Sequence, residues 1–352
     1  MFATMDHITD EIFMRRCITL AKLGAGHAAP NPMVGAVLVH EGRIIGEGYH
    51  RQYGQAHAEV NCVHSVTPED RLLIPLSTMY VSLEPCAHFG KTPPCADLIV
   101  HERIPQVVIG CVDTFSKVAG KGIEKMTAAG IQVRTGILEQ ECRELNRRFF
   151  TYHEAQRPYV ILKWAQDPNG FIAGPDKQPV KISNTWSNRL VHRWRSEEAS
   201  ILVGTGTALA DNPMLNNRLW TGKDPLRLVI DRSLKVPPTH HVWDDSIPTL
   251  FITEQVPPDT YTQTSGIRLD FGQPILPALL QQLYERQVLS VLVEGGAYVL
   301  QRFLEAGLWD EARVITGQQY VGPGTAAPVL PGYIPQREEW LEGDNIRYYR
   351  RK

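Results

Sequence analysis

Two α/β domains in tandem are the architecture this sequence predicts. Three observations carry that expectation. The chain has 352 residues, long for one hydrophobic core and enough for two domains of ordinary size. Short β-branched runs alternate with segments of helical spacing along much of its length, the pattern of strands and helices packed in layers. A polar stretch, residues 151–158, ends in Arg157-Pro158 just before a strong strand. The boundary is placed there, giving domains of residues 1–152 and 153–352.

In the first domain, residues 10–23 carry Ile12, Phe13, Cys17, Leu20 and Ala21 at helical spacing. Thr9 or Asp10 can cap that helix, and Gly24 and Gly26 end it. A run at 34–39, the dipeptide Glu41-Gly42 and a second run at 43–48 predict a hairpin. Asn31 precedes it between two prolines, where turn chemistry alone explains an Asn. His57 opens a helix through Ala58, Val60, Cys62 and Val63. Residues 78–83 read as a buried strand ending at Glu84-Pro85, and Pro94 starts a helix from 95 to about 102. Strands at 106–111 and 131–134 and helices at 121–129 and 139–150 complete the domain.

Two segments of this domain carry chemistry: His57-Ala58-Glu59, and Glu84-Pro85-Cys86-Ala87-His88-Phe89-Gly90-Lys91-Thr92-Pro93-Pro94-Cys95. His57, Cys86 and Cys95 form an N/S donor set suited to zinc, and three protein ligands leave a fourth tetrahedral position open for water. Glu59, beside the metal without ligating it, is the natural proton shuttle. This is the H-x-E and P-C…C layout of zinc-dependent nucleobase deaminases, with eight residues rather than two between the cysteines. Buried cysteines often only pack. A purely structural zinc site, closed by His88, would leave Glu59 without a task.

The second domain opens with a strand at 159–163 and continues with strands at 201–204, 226–231, 249–253 and 288–294 and a helix at 298–306. That alternation suggests a doubly wound sheet with ligands at the carboxyl ends of its strands. Three clusters fall there: Lys163-Trp164-Ala165; the stretch from Gly204-Thr205-Gly206-Thr207 through Asp211 and Leu215 to Arg218; and Glu294-Gly295-Gly296. Gly295 and Gly296 would let backbone N–H groups approach a phosphate at a helix N-terminus. Arg195 and Arg218 suit phosphates, and Asp211 and Glu294 could hold ribose hydroxyls. By residue type, each of these four reads as readily as a surface charge or an internal ion pair. Neither G-x-x-x-x-G-K-[ST] nor G-x-G-x-x-G occurs in the right context, so a nicotinamide site here is of another kind.

Composition bounds the partners. Hydrophobic content of 43% and charged content of 21% are those of a globular protein. The net charge of −2 lacks the basic excess expected of a nucleic-acid binder. No signal-peptide pattern and no apolar run of membrane-spanning length is present. Six cysteines without a dense framework suit a reducing compartment, so a cytoplasmic enzyme is expected.

Pro30-Asn31-Pro32-x-Val34-Gly35, Gly48-Tyr49-His50, His57-Ala58-Glu59 and the segment from Cys86 to Cys95 resemble the deaminase half of the bifunctional riboflavin-biosynthesis deaminase/reductases. The second half is similar to their reductase. The resemblance implies a cytidine-deaminase-like α/β domain followed by a dihydrofolate-reductase-like α/β domain. It implies zinc, one per chain, and NADPH as cofactors, a pyrimidine ribosyl phosphate as substrate, and a homo-oligomer, dimer or tetramer. The activities implied are hydrolytic deamination of 2,5-diamino-6-ribosylamino-4(3H)-pyrimidinone 5′-phosphate, then reduction of its ribosyl group to ribityl. Asn31, His50, His88 and Lys91 occupy substrate positions in the deaminase. Lys163, Arg195, Leu215, Arg218 and Glu294 do so in the reductase, and Ala165, Thr207, Asp211, Gly295 and Gly296 stand where the cofactor binds. The chain departs from the family at Asp167, Asn169 and Lys181, where serine, aspartate and an aromatic are usual, and at Arg232, where a small polar residue is often found. Two other readings compete: a cytidine or tRNA-adenosine deaminase with an unrelated second domain, and a zinc-stabilised binding protein without turnover.

Overall fold

The structure, a computed structural model, describes residues 2–89, 93–114, 119–175 and 180–351, with the backbone alone for 2–8. It divides into two compact units, Met1–Ala155 and Gln156–Lys352. The helix that closes the first unit runs through Ala155, so the division falls three residues beyond the boundary placed after residue 152.

Unit 1 contains α1 (Phe2–Ala21), β1 (Gly35–His40), β2 (Arg43–Tyr49), α2 (Ala58–His64), β3 (Thr78–Leu83), α3 (Cys95–His101), β4 (Gln106–Cys111), α4 (Lys121–Ala128), β5 (Gln132–Thr135), α5 (Glu139–Leu145) and α6 (Arg147–Ala155). The sheet order is β2-β1-β3-β4-β5. β1 is antiparallel to β2 and β3, and β3, β4 and β5 run parallel. Strand β1 shows why both faces are covered. Ala36 and Leu38 pack in the cluster containing Ala58, Cys62 and Val63 of α2, whereas Val37 and Val39 pack with Phe13, Met14 and Cys17 of α1. A strand buried on both sides reads as a continuous apolar run rather than an alternation. Gly48 lets α2 lie close on the sheet, since a Cβ there would stand 2.3 Å from the Cys62 nitrogen.

Three details of unit 1 differ from the sequence reading. Helix α1 begins well before Asp10. Asp10 is no cap: its carboxylate accepts from Tyr80 Oη at 2.8 Å and from Arg134 Nη1 at 2.5 Å. The expected helix at 139–150 is two helices, broken at Asn146. The Asn146 amide accepts from the Met33 N–H and donates to the Met33 carbonyl, both at 2.8 Å, as a neighbouring strand would.

Unit 2 contains β6 (Tyr159–Gln166), β7 (Phe171–Ala173), α7 (Thr185–Glu197), β8 (Ser200–Gly204), α8 (Thr205–Asp211), β9 (Leu226–Ile230), β10 (Thr249–Thr253), β11 (Thr264–Arg268), α9 (Ile275–Glu285), β12 (Ser290–Val293), α10 (Ala297–Glu305), β13 (Glu311–Thr316), β14 (Thr325–Ala326), β15 (Arg337–Leu341) and β16 (Asp344–Arg350). Its nine-stranded sheet has the order β11-β10-β9-β8-β12-β6-β13-β16-β15. The strands from β11 to β13 in that order are parallel, and β16 and β15 add an antiparallel edge. Along β6, Val160, Leu162 and Trp164 join the apolar residues of α9 and α10, while Tyr159 and Ile161 join Val191 and Trp194 of α7. By that alternation Lys163 belongs to the α7 face. The strand does not stop at Lys163, because Lys163, Trp164 and Ala165 pair in register with Arg313, Val314 and Ile315 of β13. They therefore lie inside β6 rather than after it.

Candidate active sites

In unit 1 the ends of α2 and α3 converge. His57 is the residue before α2, in extended conformation, and Cys95 is the first residue of α3 after Pro94. Cys86 lies in the loop after β3, and its carbonyl accepts from the Ala96 N–H at 3.1 Å. The His57 Nδ1 is 3.6 Å from Cys86 Sγ and 3.3 Å from Cys95 Sγ. All three ligand atoms lie within 4.8 Å of one another. His88, exposed in the same loop, is outside this group. One imidazole nitrogen and two thiol sulfurs, largely buried, are the donor set and spacing that zinc takes, so the residues fit that ion. The Cys86 thiol is drawn down by its hydrogen bonds to Cys95 and His57 in spite of burial, which favours the thiolate a metal needs.

Glu59, in the first turn of α2, is 3% exposed. Burial pushes its carboxyl up, and the neighbouring His57 only partly opposes this. A carboxyl so placed can take and return a proton beside the three donors. His50 follows β2, and its ring meets that of His57 edge-on at 5.2 Å. His50 Nδ1 lies 3.1 Å from the Ala56 carbonyl and Nε2 lies 3.2 Å from Asn31 Nδ2. With Nδ1–H donating and Nε2 accepting, one neutral tautomer satisfies both contacts. Burial, which lowers the His50 pKa, favours the same form. The structure thus brings Asn31, His50, His57, Glu59, Cys86 and Cys95 together, and Lys91 lies outside the described residues.

Glu84 stands two residues before Cys86, and its residue type alone assigns it no task. Its buried carboxylate accepts from the N–H groups of Gly120 and Gly122 at 3.0 Å and of Asp113 and Ile123 at longer range. It therefore ties the start of α4 to the loop that carries Cys86. The signal was an acidic residue directly after a buried strand.

In unit 2 the clusters expected at strand ends meet where β8 and β12 end, beside the part of β6 that carries Lys163. Glu294, immediately after β12, accepts from Arg195 Nε and Nη2, both at 2.8 Å, with Lys163 Nζ at 3.6 Å. Burial alone would raise the Glu294 carboxyl, but Arg195 and Lys163 override it and bring the carboxyl down to about 2. Burial likewise lowers Lys163, with Glu294 opposing. One buried anion thus faces two buried cations, leaving excess positive charge at the end of the sheet.

Two strand-to-helix turns lie side by side here. The Gly296 N–H donates to Thr207 Oγ1 at 2.7 Å. A Cβ on Gly295 would stand 2.4 Å from Val203 Cα, so this turn needs glycine for packing. Leu215 is buried among Ile201, Val203 and Ala208 of the core. Asp211 is the exposed last residue of α8, Ala165 is half-buried on β6, and Arg218 is exposed with its Nη1 donating to Asn216 Oδ1 at 2.9 Å. Asp167, where the family usually has serine, accepts from the N–H groups of Asn169 and Phe171 and holds the turn after β6. The buried cations, the Arg195–Glu294 pair and the glycine turns fit a phosphorylated dinucleotide or sugar at the strand ends.

Comparison with known proteins bears on both units. Residues 7–111 match the family described as the cytidine and deoxycytidylate deaminase zinc-binding region, and residues 158–341 match the RibD C-terminal domain. The riboflavin biosynthesis protein RibD of Aquifex aeolicus is 37% identical over 90% of this chain and 88% of its own length. That of Bacillus amyloliquefaciens is 39% identical over 91% and 87%. The crystal structure of a diaminohydroxyphosphoribosylaminopyrimidine deaminase/5-amino-6-(5-phosphoribosylamino)uracil reductase from Thermotoga maritima superposes with a TM-score of 0.90 at 35% identity, covering 99% of this chain and all of that one. Relatives that span both units do not favour a cytidine or tRNA-adenosine deaminase with an unrelated second domain. Among the described residues, no helix is long and apolar enough to cross a membrane.

Proposed function

The chain belongs to the RibD family of riboflavin-biosynthesis deaminase/reductases, with zinc and NADPH as its cofactors, and from that premise we propose how its two units divide the work. Residues 1–152 carry the deaminase, which exchanges the 2-amino group of the diaminopyrimidinone ribosyl phosphate for a carbonyl. Residues 153–352 carry the reductase, which opens and reduces the ribosyl group to ribityl. One observation supports this most: a single chain holds both the His57, Cys86, Cys95 and Glu59 group and the Lys163, Arg195 and Glu294 group.

His57, Cys86 and Cys95 would hold zinc, which supplies Lewis acidity and a water of lowered pKa. Glu59 takes a proton from water at its carboxylate and passes it to the pyrimidine ring nitrogen, then takes a second from the hydroxyl added at C2 and gives it to the amino group, which leaves as ammonia. Asn31 and His50 read the pyrimidine edge, His50 being held to one tautomer by the Ala56 carbonyl. His88 and Lys91 take the phosphate end. In the second unit Lys163, Arg195, Leu215, Arg218 and Glu294 bind and orient the ribosyl phosphate, and Ala165, Thr207, Asp211, Gly295 and Gly296 line the place of NADPH, whose contribution is the hydride. Lys163, paired with Glu294, can deliver the proton that the ribosyl ring oxygen takes up as its bond to C1′ breaks and hydride reaches C1′. The assembly proposed is a dimer or tetramer in the cytoplasm, acting on small molecules and not on nucleic acid or membrane.

The test is direct. Purified protein given the diaminopyrimidinone ribosyl phosphate should release ammonia, and with NADPH added it should yield the ribityl product, identified by mass. Ammonia release that persists without bound metal, or NADPH that is not consumed, would overturn the assignment.

A further inference from the structure

Helix α7 carries two side chains that reach the loop between Leu215 and Arg218. Arg195, besides gripping Glu294, donates from Nη1 to the Asn216 carbonyl at 3.0 Å. One turn earlier, His192 accepts at Nδ1 from the backbone N–H of Arg218 at 3.1 Å. The loop is also pinned at its other end, where Leu215 is buried at a φ of 50°. His192 is 1% exposed. A buried imidazole accepting at Nδ1 carries its proton on Nε2 and is neutral. Its burial and the charges of Arg195 and Arg218 push its pKa down to about 4, in keeping with that tautomer.

The geometry points to His192 as a positioning residue of the reductase: by accepting the Arg218 amide it fixes where the Arg218 guanidinium meets the substrate's phosphate. This rests on the proposed role of Arg218. The side chain of Arg218 is exposed and donates to Asn216 Oδ1, and His192 and Arg195 hold the backbone of these two residues. His192 itself need touch neither substrate nor cofactor. Its Nδ1 is the end of a chain that begins at α7 and ends at a phosphate-binding group.

The experiment compares two polar variants of the full chain, supplied with deaminated ribosyl phosphate and NADPH. His192→Asn puts a carboxamide oxygen near the place of Nδ1, whereas His192→Gln carries it one bond too far. In His192→Gln, KM for the ribosyl phosphate should rise about 10- to 100-fold with kcat nearly unchanged, as for a small displacement of a binding group. The Arg218 amide should exchange its hydrogen faster in the same variant. His192→Asn should restore both toward the parent. The inference is overturned if Gln leaves KM and amide protection at parent values, if kcat falls instead of KM rising, or if Asn and Gln are equally impaired. Arg218→Ala separates the two readings. An unchanged KM there removes the role of Arg218 and this inference with it, whereas a raised KM there beside a parent-like His192→Gln removes only the role of His192.

Discussion

Glu59 in unit 1 and Glu294 in unit 2 are both buried at their sites, and their carboxyls are pushed in opposite directions. Glu59 is buried in unit 1, and burial drives its carboxyl up. Glu294, with a side chain 8% exposed, is held down to about 2 because the charges of Arg195 and Lys163 outweigh the same penalty. Burial therefore does not decide what a carboxylate does; the company it keeps does. The first can carry a proton, and the second is a fixed anion that orders two cations.

Four substitutions would break or sharpen this contrast, from the largest effect to the smallest. Cys95→Ser should lose zinc and deamination together, a hydroxyl being a much poorer ligand than a thiolate, while NADPH oxidation on preformed deaminated substrate continues. Elemental analysis checks this, and full zinc occupancy in the variant would show that the ligand set is wrong. Glu59→Gln should keep zinc but lower deamination by about 10²- to 10⁴-fold, since an amide cannot shuttle a proton. A parallel loss of reduction in the folded variant would mean that the two sites are not independent.

Glu294→Gln acts on stability. Removing the anion leaves Arg195 and Lys163 buried without it, which should cost unit 2 about 3–5 kcal/mol at neutral pH. The sign with pH follows from the depressed carboxyl: its contribution is full above the ordinary 4.5 and disappears as pH falls toward about 2. Urea unfolding against pH should therefore show wild type and variant converging in acid, and parallel curves would refute the ion pair's role. The smallest effect is expected at a hairpin turn. Gly42→Ala, between β1 and β2, places a Cβ at a φ of 78° in open space, costing about 1 kcal/mol without touching either activity. Melting temperatures report it.

The same contrast explains what could be read from the sequence. The metal group lies between His57 and Cys95, in two short segments whose spacing is itself a signal. Lys163, Arg195 and Glu294 are scattered over three elements, and only resemblance links them; by residue type Arg195 and Glu294 read as an internal ion pair, and they form one, with Lys163 beside it. Helix α7 went unread, although Asn184 caps it by accepting from the Trp186 and Ser187 N–H groups and Leu190, Val191 and Trp194 mark its inner face. Glu41-Gly42 announced a hairpin between apolar runs, whereas Glu342-Gly343 makes the same kind of turn between β15 and β16 and was missed. The difference is that β15 reads Arg-Glu-Glu-Trp-Leu, an edge strand whose charges hide its period.

The place of β12 has a consequence for how the protein is made. In the finished sheet β12 stands between β6 and β8, with Ser290 opposite Tyr159 and Val291 opposite Ser200. On the ribosome, β6 and β8 emerge long before the strand that joins them, and their facing edges have no neighbour until Val293 is synthesised. The first unit has every strand of its sheet once Thr135 has emerged. Chains stalled before Ser290 should therefore resist protease up to about residue 155 and be cut readily beyond it. During translation the reductase half is the part of the chain that must be sheltered longest.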